Sequence, residues 1–405
     1  DCNAVGRRCS MKNLETLIQE LCPDGVEFVK LGDVCKSLSK GTLKTTDLVE
    51  QGEFPVINSG RELYGYYNQY NNEGNAITVA ARGEYAGFIT YMKNPFWAGG
   101  LCYPYRTINE NLMVTKFLFY VLKKEEKKNM EKLVVRGSIP ALNKSSFDRV
   151  EIPLPPIEVQ TEIVHILDKL TSLEAELEAE LDCRKRQYEY YRDKLLSFDN
   201  VGDQEVEWKK MSEVGTFIRG KRFVRTDIVE EGVPCIHYGD IYTYYGLTAT
   251  KAKTYLKPEK AEKMKFASKN DVVIVGAGEN NMDIGVGVAW LSDEEVAIHD
   301  ACYIFKSKMN PRFVSHYLRG SNYHLQIKKY VCEGKICSIS SKSIGRSLIP
   351  VPSLSEQERI ANILDRFEAL STSLQSGLPA EIAARRQQYE HYRDKLLTFK
   401  RKGAA

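Results

Sequence analysis

The chain writes one long helical stretch twice, and that duplication limits its fold more than any other feature. The first copy runs from Ile152-Pro153-Leu154-Pro155-Pro156 to Tyr188-Glu189-Tyr190-Tyr191-Arg192-Asp193-Lys194-Leu195-Leu196-Ser197-Phe198. The second opens on Ile349-Pro350-Val351-Pro352 and closes on Tyr389-Glu390-His391-Tyr392-Arg393-Asp394-Lys395-Leu396-Leu397-Thr398-Phe399. A repeat this long and this widely separated makes the chain two similar halves. Each copy reads as one long helix opened by prolines, which lack an N–H donor and suit a first turn. In the second copy Ser355 and Glu358 have capping-box spacing.

Apolar residues then recur at steps of three and four. The first copy shows Ile163, Ile166, Leu170, Leu173, Leu177 and Leu181, then Tyr188, Tyr191 and Leu195. The second shows Ile360, Ile363, Phe367, Leu370, Leu374, Leu378 and Ile382, then Tyr389, Tyr392 and Leu396. This is the narrow seam of a coiled coil. About 40 residues at ~1.5 Å each make a rod of roughly 60 Å. The second copy gains four residues around Gly377-Leu378-Pro379. We read a stutter with a local kink and the seam resumed; a helix break is the alternative. Antiparallel rods would bring the Ile163 end of one to the Leu396 end of the other.

The segments between the rods also repeat. Val26-Glu27-Phe28-Val29-Lys30-Leu31 alternates like a strand and returns as Val206-Glu207-Trp208-Lys209-Lys210-Met211. Lys40-Gly41 matches Arg219-Gly220, and Phe54-Pro55-Val56-Ile57 matches Val233-Pro234-Cys235-Ile236. Ala76-Ile77-Thr78-Val79 matches Val272-Val273-Ile274-Val275, and Gly137-Ser138-Ile139-Pro140 matches Gly334-Lys335-Ile336-Cys337. The expected fold is α+β: two similar globes separated by two long antiparallel coiled-coil helices, with a pseudo-two-fold and a circularly permuted repeat. Expected boundaries are a vector-derived leader over 1–10, a first globe over 11–150 and a first helical spacer over 151–198. A second globe then covers 199–348, a second spacer 349–400 and a tail 401–405.

Net charge is +3. Both globes carry a small excess of Lys and Arg, whereas the first rod is acidic. Mildly basic globes suit nucleic acid without proving it. No apolar run approaches a membrane span, and there is no secretory signal. The cysteines are scattered, which argues against a disulfide scaffold or a metal site and for reduced thiols in the cytoplasm.

Catalytic signatures are weak. Gly215-Thr216-Phe217-Ile218-Arg219-Gly220-Lys221 begins like a phosphate-binding loop, but Arg222 stands where Ser or Thr would hold magnesium. Asn94-Pro95-Phe96-Trp97 lacks the second proline of an amino-methyltransferase loop and reads as a surface turn. The six His show no metal or triad spacing. What the globes do offer is Tyr, Asn and basic residues interleaved. Candidate DNA contacts are Lys40, Lys44, Arg61, Tyr64, Tyr66, Asn68 and Arg82 in the first globe. Arg219, Lys221, Arg222, His237, Tyr242, Tyr244, Asn280 and Lys335 are the candidates in the second. Arg and Lys suit phosphates and guanine, and Tyr and Asn suit phosphates and base edges. Any single tyrosine reads more readily as packing in a β-segment, whereas the cluster as a whole reads as a binding surface.

With Gln160 and Glu356-Gln357 after the paired proline openings, and the Tyr-Tyr-Arg-Asp-Lys-Leu-Leu and Tyr-Arg-Asp-Lys-Leu-Leu endings, the chain resembles the specificity subunit of type I restriction-modification enzymes. The resemblance covers the chain after Met11. It implies that each globe is a target recognition domain reading one half of a split double-stranded DNA site. It implies that the rods set the gap and dock two methyltransferase subunits, with motor-nuclease subunits added for cleavage. S-adenosylmethionine, ATP and magnesium would then belong to those partners, and this subunit would hold no cofactor, metal or catalytic residue. A scaffold that binds only proteins is the alternative, and a self-contained methyltransferase is a third reading.

Overall fold

A computed structural model describes residues 14, 16–198, 206–372 and 377–403, in two units: Asp1–Glu176 with Ala383–Ala405, and Leu177–Ile382. The expected leader over 1–10 and the seam residue Leu374 lie outside the described residues.

The strands that place the site in the first unit are β1 (Glu27–Lys30), β2 (Cys35–Ser37), β3 (Phe54–Ile57), β4 (Ala76–Ala80), β5 (Trp97–Ala98), β6 (Cys102–Thr107) and β7 (Glu151–Leu154). One antiparallel sheet runs in the order β2, β6, β4, then Ile89–Met92. A second runs Gly65–Tyr67, β3, β5, with β3 and β5 parallel. Helix Thr115–Lys124 packs Phe117, Leu118 and Val121 onto Ile77 and Val79 of β4. The core is completed by Val159, Ile163, Leu167 and Leu170 from the start of helix Ile157–Ser197. Leu396 and Leu397, at the end of the chain's last helix, close it from the other side. The start of one rod therefore packs with the end of the other, as antiparallel pairing requires. Arg386 and Glu174 pair across that contact at 2.6 Å.

The second unit repeats the plan with β8 (Glu207–Lys210), β9 (Gly215–Arg219), β10 (Val233–Ile236), β11 (Val272–Val275), β12 (Val296–Ile298), β13 (Cys302–Ser307) and β14 (Leu348–Val351). Its sheets run β9, β13, β11, Gly287–Trp290, Thr248–Ala249, and Ile228–Val229, Thr254–Leu256, β10, β12, Phe266–Ala267. Here the end of the 157–197 helix (Leu196) meets the start of helix Leu354–Thr372 (Ile360, Ala361, Leu364). Tyr191 stacks on Phe367 at 5.3 Å.

Four sequence expectations change. The proline openings are strands, not helix starts: β7 pairs antiparallel with β1 (Pro153 opposite Phe28), and β14 with β8 (Pro350 opposite Trp208). A two-stranded edge tolerates the missing N–H. The helices begin later, at Ile157 and Leu354. Consequently Ser353, not Ser355, caps the second, its Oγ accepting from Glu356 N at 3.3 Å, while Glu358 binds Asn310 and Arg312.

The second rod is interrupted. Gly377 forms a bend and a new helix, Leu378–Leu396, starts after it with Pro379 in its first turn. Glycine's backbone freedom and a proline acceptable only near a helix start decide the break. Along the seam, Ile163, Ile166, Leu170 and Ile360 are buried, and Leu173, Leu177, Tyr188, Ile363, Phe367, Tyr389 and Tyr392 are half-buried. Leu370 is 53% exposed and Tyr191 39%. Burial favours Leu167, Ala361 and Leu364 instead, because near the globes the buried face is a wide stripe rather than a coiled-coil seam.

Two repeat matches slip by one residue. Cys35 faces Thr107 and Gly215 faces Ser307, so Gly41 corresponds to Lys221, not Gly220; the parallel bridges Gly41–Gly99 and Lys221–His299 agree. Ile77 faces Tyr105 and Val272 faces Phe305, so Ile77, not Ala76, corresponds to Val272.

Candidate nucleic-acid interface

In each unit two strands run parallel and end together: β3 with β5, and β10 with β12. Parallel pairing forces the chain to leave both ends on the same side, and the exits form a corner. In the first unit the exits are Asn58 and Gly99-Gly100-Leu101. Gly99 N donates to Ile57 O at 2.7 Å, and Asn58 Oδ1 accepts from Leu101 N at 3.0 Å. Asn58 Oδ1 lies 2.7 Å from where a Cβ on Gly99 would sit, so Gly99 admits no side chain while Asn58 keeps that bond. Lys40, from the loop after β2, donates from Nζ to Gly100 O at 3.4 Å and lies 5.0 Å from the Tyr103 ring.

The second unit builds the same corner from different residues. His299 N donates to Ile236 O at 3.2 Å, and Arg219 Nε donates to Asp300 O at 2.9 Å. The backbone N–H of Ala301, equivalent to that of Leu101, is accepted by His299 Nδ1 at 3.1 Å. With Nδ1 accepting, the proton sits on Nε2, which donates to Phe223 O at 3.2 Å. That leaves His237, the counterpart of Asn58, free for another task. Its Nδ1 accepts from Gly239 N at 3.2 Å and caps the short helix Tyr238–Thr243. The His237 ring lies 4.6 Å from His299 and 4.4 Å from Tyr238. Burial lowers the pKa of both imidazoles; Asp240 and Asp300 oppose that for His237, and Asp300 opposes it for His299. Gly220 passes so close to the β12 exit that a Cβ would fall 2.2 Å from His299 O.

The candidate contacts distribute unevenly around these corners. Lys40, Arg219, Lys221, Arg222 and His237 gather there, with the side chains of Lys221 and Arg222 exposed. Lys44 and Tyr64 sit near each other, Tyr64 Oη lying 3.3 Å from Thr45 Oγ1. Tyr64, Tyr66 and Asn68 are exposed. Arg61 belongs elsewhere, its guanidinium over the Tyr85 ring at 4.9 Å, near the exposed Arg82 that bridges to Ala141. The second tyrosine cluster is a helix rather than a β-segment. Tyr242 buries its hydroxyl, with no hydrogen-bond partner found for it, and burial pushes its phenol up. Tyr244 is 59% exposed beneath Lys253. Asn280 accepts from Met282 N at 3.1 Å, and Lys335 is exposed.

The corner residues Asn58, Gly99 and His299 escaped the sequence reading. One signal was available: extending the β3/β10 match by a single residue sets Asn58 opposite His237. Among the described residues no group of His, Cys, Asp and Glu is arranged to hold a metal, and no helix is long and apolar enough to cross a membrane.

Comparison with known proteins follows the same duplication. The family model for the type I restriction modification DNA specificity domain matches residues 23–182 and again 204–384. The chain is 31% identical to the Escherichia coli type I restriction enzyme EcoR124I/EcoR124II specificity subunit, over 96% of this chain and 97% of that one. It is 23% identical to the specificity subunit of the Methanocaldococcus jannaschii type I restriction enzyme MjaVIII, over 86% and 87%. Among solved structures, the S subunit from M. genitalium superposes with a TM-score of 0.55 at 17% identity, covering 92% of this chain and 95% of that one. At that identity the likeness concerns the fold.

Proposed function

We propose, since this chain belongs to the type I restriction modification DNA specificity family, that it is the non-catalytic subunit through which a restriction-modification complex chooses its DNA sequence. Each unit reads one half of an asymmetric two-part site. The observation that carries this reading is the corner built twice on one backbone plan with different side chains. A shared frame with unlike occupants is what two different half-sites demand. The rod helices set the gap and dock two methyltransferase subunits, and motor-nuclease subunits join for cleavage. Adenine methylation with S-adenosylmethionine and cleavage with ATP and magnesium belong to those partners, acting on DNA in the cytoplasm.

The test is binding by the chain assembled with its methyltransferase partners, and mapping of methylated adenines in host DNA with and without this chain. Sequence-selective, salt-sensitive binding and loss of one two-part methylation motif are expected. A protein-only scaffold would show neither, and a self-contained methyltransferase would methylate DNA alone.

Two further outcomes are expected. Lys221→Ala weakens binding about equally for all sequences and reduces the slope of log K against log salt by about 1, because a phosphate contact releases its counterion whatever the base. Titrations between 50 and 200 mM salt, on the order of the range where such slopes are read, check it. Deleting residues 377–380 takes out the bend and the start of helix Leu378–Leu396, four residues worth ~6 Å at helical rise, or roughly two base pairs at ~3.4 Å each. The methylated motif should keep both half-sites and change only its internal gap.

A further inference from the structure

We infer that Asn58 and His237 are equivalent base-reading residues, each presenting a single kind of group, an N–H donor, to a base in its half-site. The inference rests on the reading of each unit as a half-site reader and names the position in each that does the choosing.

The equivalence is one of register. Asn58 directly follows β3, whose Val56 and Ile57 face Trp97 and Ala98. His237 directly follows β10, whose Cys235 and Ile236 face Ala297 and Ile298. Both leave the same parallel pair at the same point.

The chemistry left to each residue follows from what the protein already uses. Asn58 has one acceptor and two donors. Its oxygen is taken by Leu101 N, which also settles which end of the amide is which, since an N–H partner admits only oxygen. Its NH₂ group makes no hydrogen bond within the described protein. With its oxygen turned to Leu101 N, the group Asn58 keeps for a base is the NH₂ donor, not the paired donor-acceptor face that a free Asn shows adenine. His237 arrives at the same state by another route. Gly239 N–H occupies Nδ1, so the proton is on Nε2, and Nε2–H makes no hydrogen bond within the described protein. Its neighbour His299 has both nitrogens committed, to Ala301 N and Phe223 O, and cannot substitute. A side chain at position 99 would push Asn58 off Leu101, and in the second unit the residue at the matching position does that backbone-holding task itself. The two solutions are alternatives: whichever residue caps the turn, the exit residue of β3 or β10 keeps one donor.

A lone donor donates to guanine N7 or O6, adenine N7 or thymine O4 and finds no acceptor on cytosine, whose exposed edge is an amine. Lys40 on Gly100 O and Arg219 on Asp300 O stand beside the two donors, where cations serve the phosphates flanking the read base.

The decisive variants invert the donor and keep the fold's own bond. Asn58→Asp retains an oxygen for Leu101 N, and His237→Asp retains an acceptor for the helix cap; both turn the outward group into an acceptor. With the chain bound to its methyltransferase partners and offered degenerate half-sites, each variant should shift one position of one half-site toward cytosine by about tenfold. The other half-site should be unchanged. His237→Asn, which keeps both cap and donor, should keep the parental preference. Independently of any variant, the parent complex should lose about tenfold in affinity at one position per half-site when the base there is replaced by an analogue lacking a single groove acceptor. If the parent shows no sequence preference, the half-site reading itself falls. If the parent is selective and no analogue costs more than about twofold, or the Asp variants weaken all sequences alike, Asn58 and His237 are caps and nothing more.

Discussion

Gln160→Leu is expected to lower the stability of the first unit by roughly 3 kcal/mol. Gln160 is fully buried one turn into the long helix, and all its polar capacity there is used. Oε1 accepts from Val114 N at 2.9 Å, and Nε2 donates to Leu112 O at 2.9 Å and Pro155 O at 2.8 Å. The side chain thus ties the start of the rod to the lead-in of helix Thr115–Lys124 and to its own preceding turn. Leucine fills nearly the same volume but leaves three backbone groups without this partner, the bond to Pro155 O being fully buried and the other two partly so, at about 1 kcal/mol each. Gln357 repeats the device in the second unit, with Asn310 N at 2.8 Å and Pro352 O at 2.8 Å. It holds two groups instead of three, so Gln357→Leu should cost the second unit roughly 2 kcal/mol. Urea titration read by amide exchange separates the units; a midpoint shift at constant slope is the expected signature. A Gln160→Leu protein as stable as its parent would mean that the helix start is held by apolar packing alone.

Mild acid should destabilise the second unit and spare the first. Four histidines, His237, His299, His316 and His324, have pKa values lowered by burial, and all four lie in the second unit. His316 is the extreme case, fully buried with Nε2 2.8 Å from Asp365 Oδ1 and Nδ1 3.0 Å from Tyr188 Oη. Asp365 and Glu368 favour its charged form and Arg319 opposes it, but burial outweighs the carboxylates. His324 donates from Nε2 to Leu318 O at 3.0 Å, with Arg192 and Arg319 lowering its pKa further and Asp193 opposing them. His237 faces Asp240 and Asp300, and His299 faces His237, Asp300 and Arg222. A folded pKa below the unfolded value means that the unfolded chain takes up the proton first. Stability is therefore full above about pH 6.5 and is lost as pH falls toward the lowered folded values. Amide exchange at pH 7.5 and 5.5, roughly one unit either side of the free imidazole value and corrected for intrinsic rates, should show protection falling in 206–372 and holding in 26–176. Equal loss in both units would remove the histidines as the cause. A gain in the second unit would show that Asp365 outweighs burial at His316.

What the sequence disclosed follows from how locally each feature is encoded. The rods and the repeat were legible because periodicity and duplicated endings are properties of neighbouring residues. The proline openings are not decided locally, because Ile-Pro-Leu and Ile-Pro-Val satisfy a helix opening and an edge strand equally. The deciding partners, Phe28 and Trp208, are more than a hundred residues away. One-residue slips at Gly41 and Ile77 arose because similarity of residue type aligned Lys40-Gly41 with Arg219-Gly220, whereas strand pairing aligns backbone. The corner was hidden for a deeper reason. It joins residues near 40, 58 and 100, and its two versions share no side chain. Asn58 and His237, or Gly99 and His299, look unrelated until their hydrogen bonds show one frame.

Val26 N donates to Lys400 O at 2.8 Å and Lys402 N donates to Val26 O at 2.9 Å, so the first unit is stitched from two segments far apart in sequence. A ribosome releases the later segment only after the whole second unit has been made. The second unit, one unbroken span, has all its residues available while the first still lacks Leu396 and Leu397 from its core. The portion made first must wait, incomplete, for residues 383–402 to emerge, and a chain cut short before them would leave the earlier-made first unit unfinished while the second is whole.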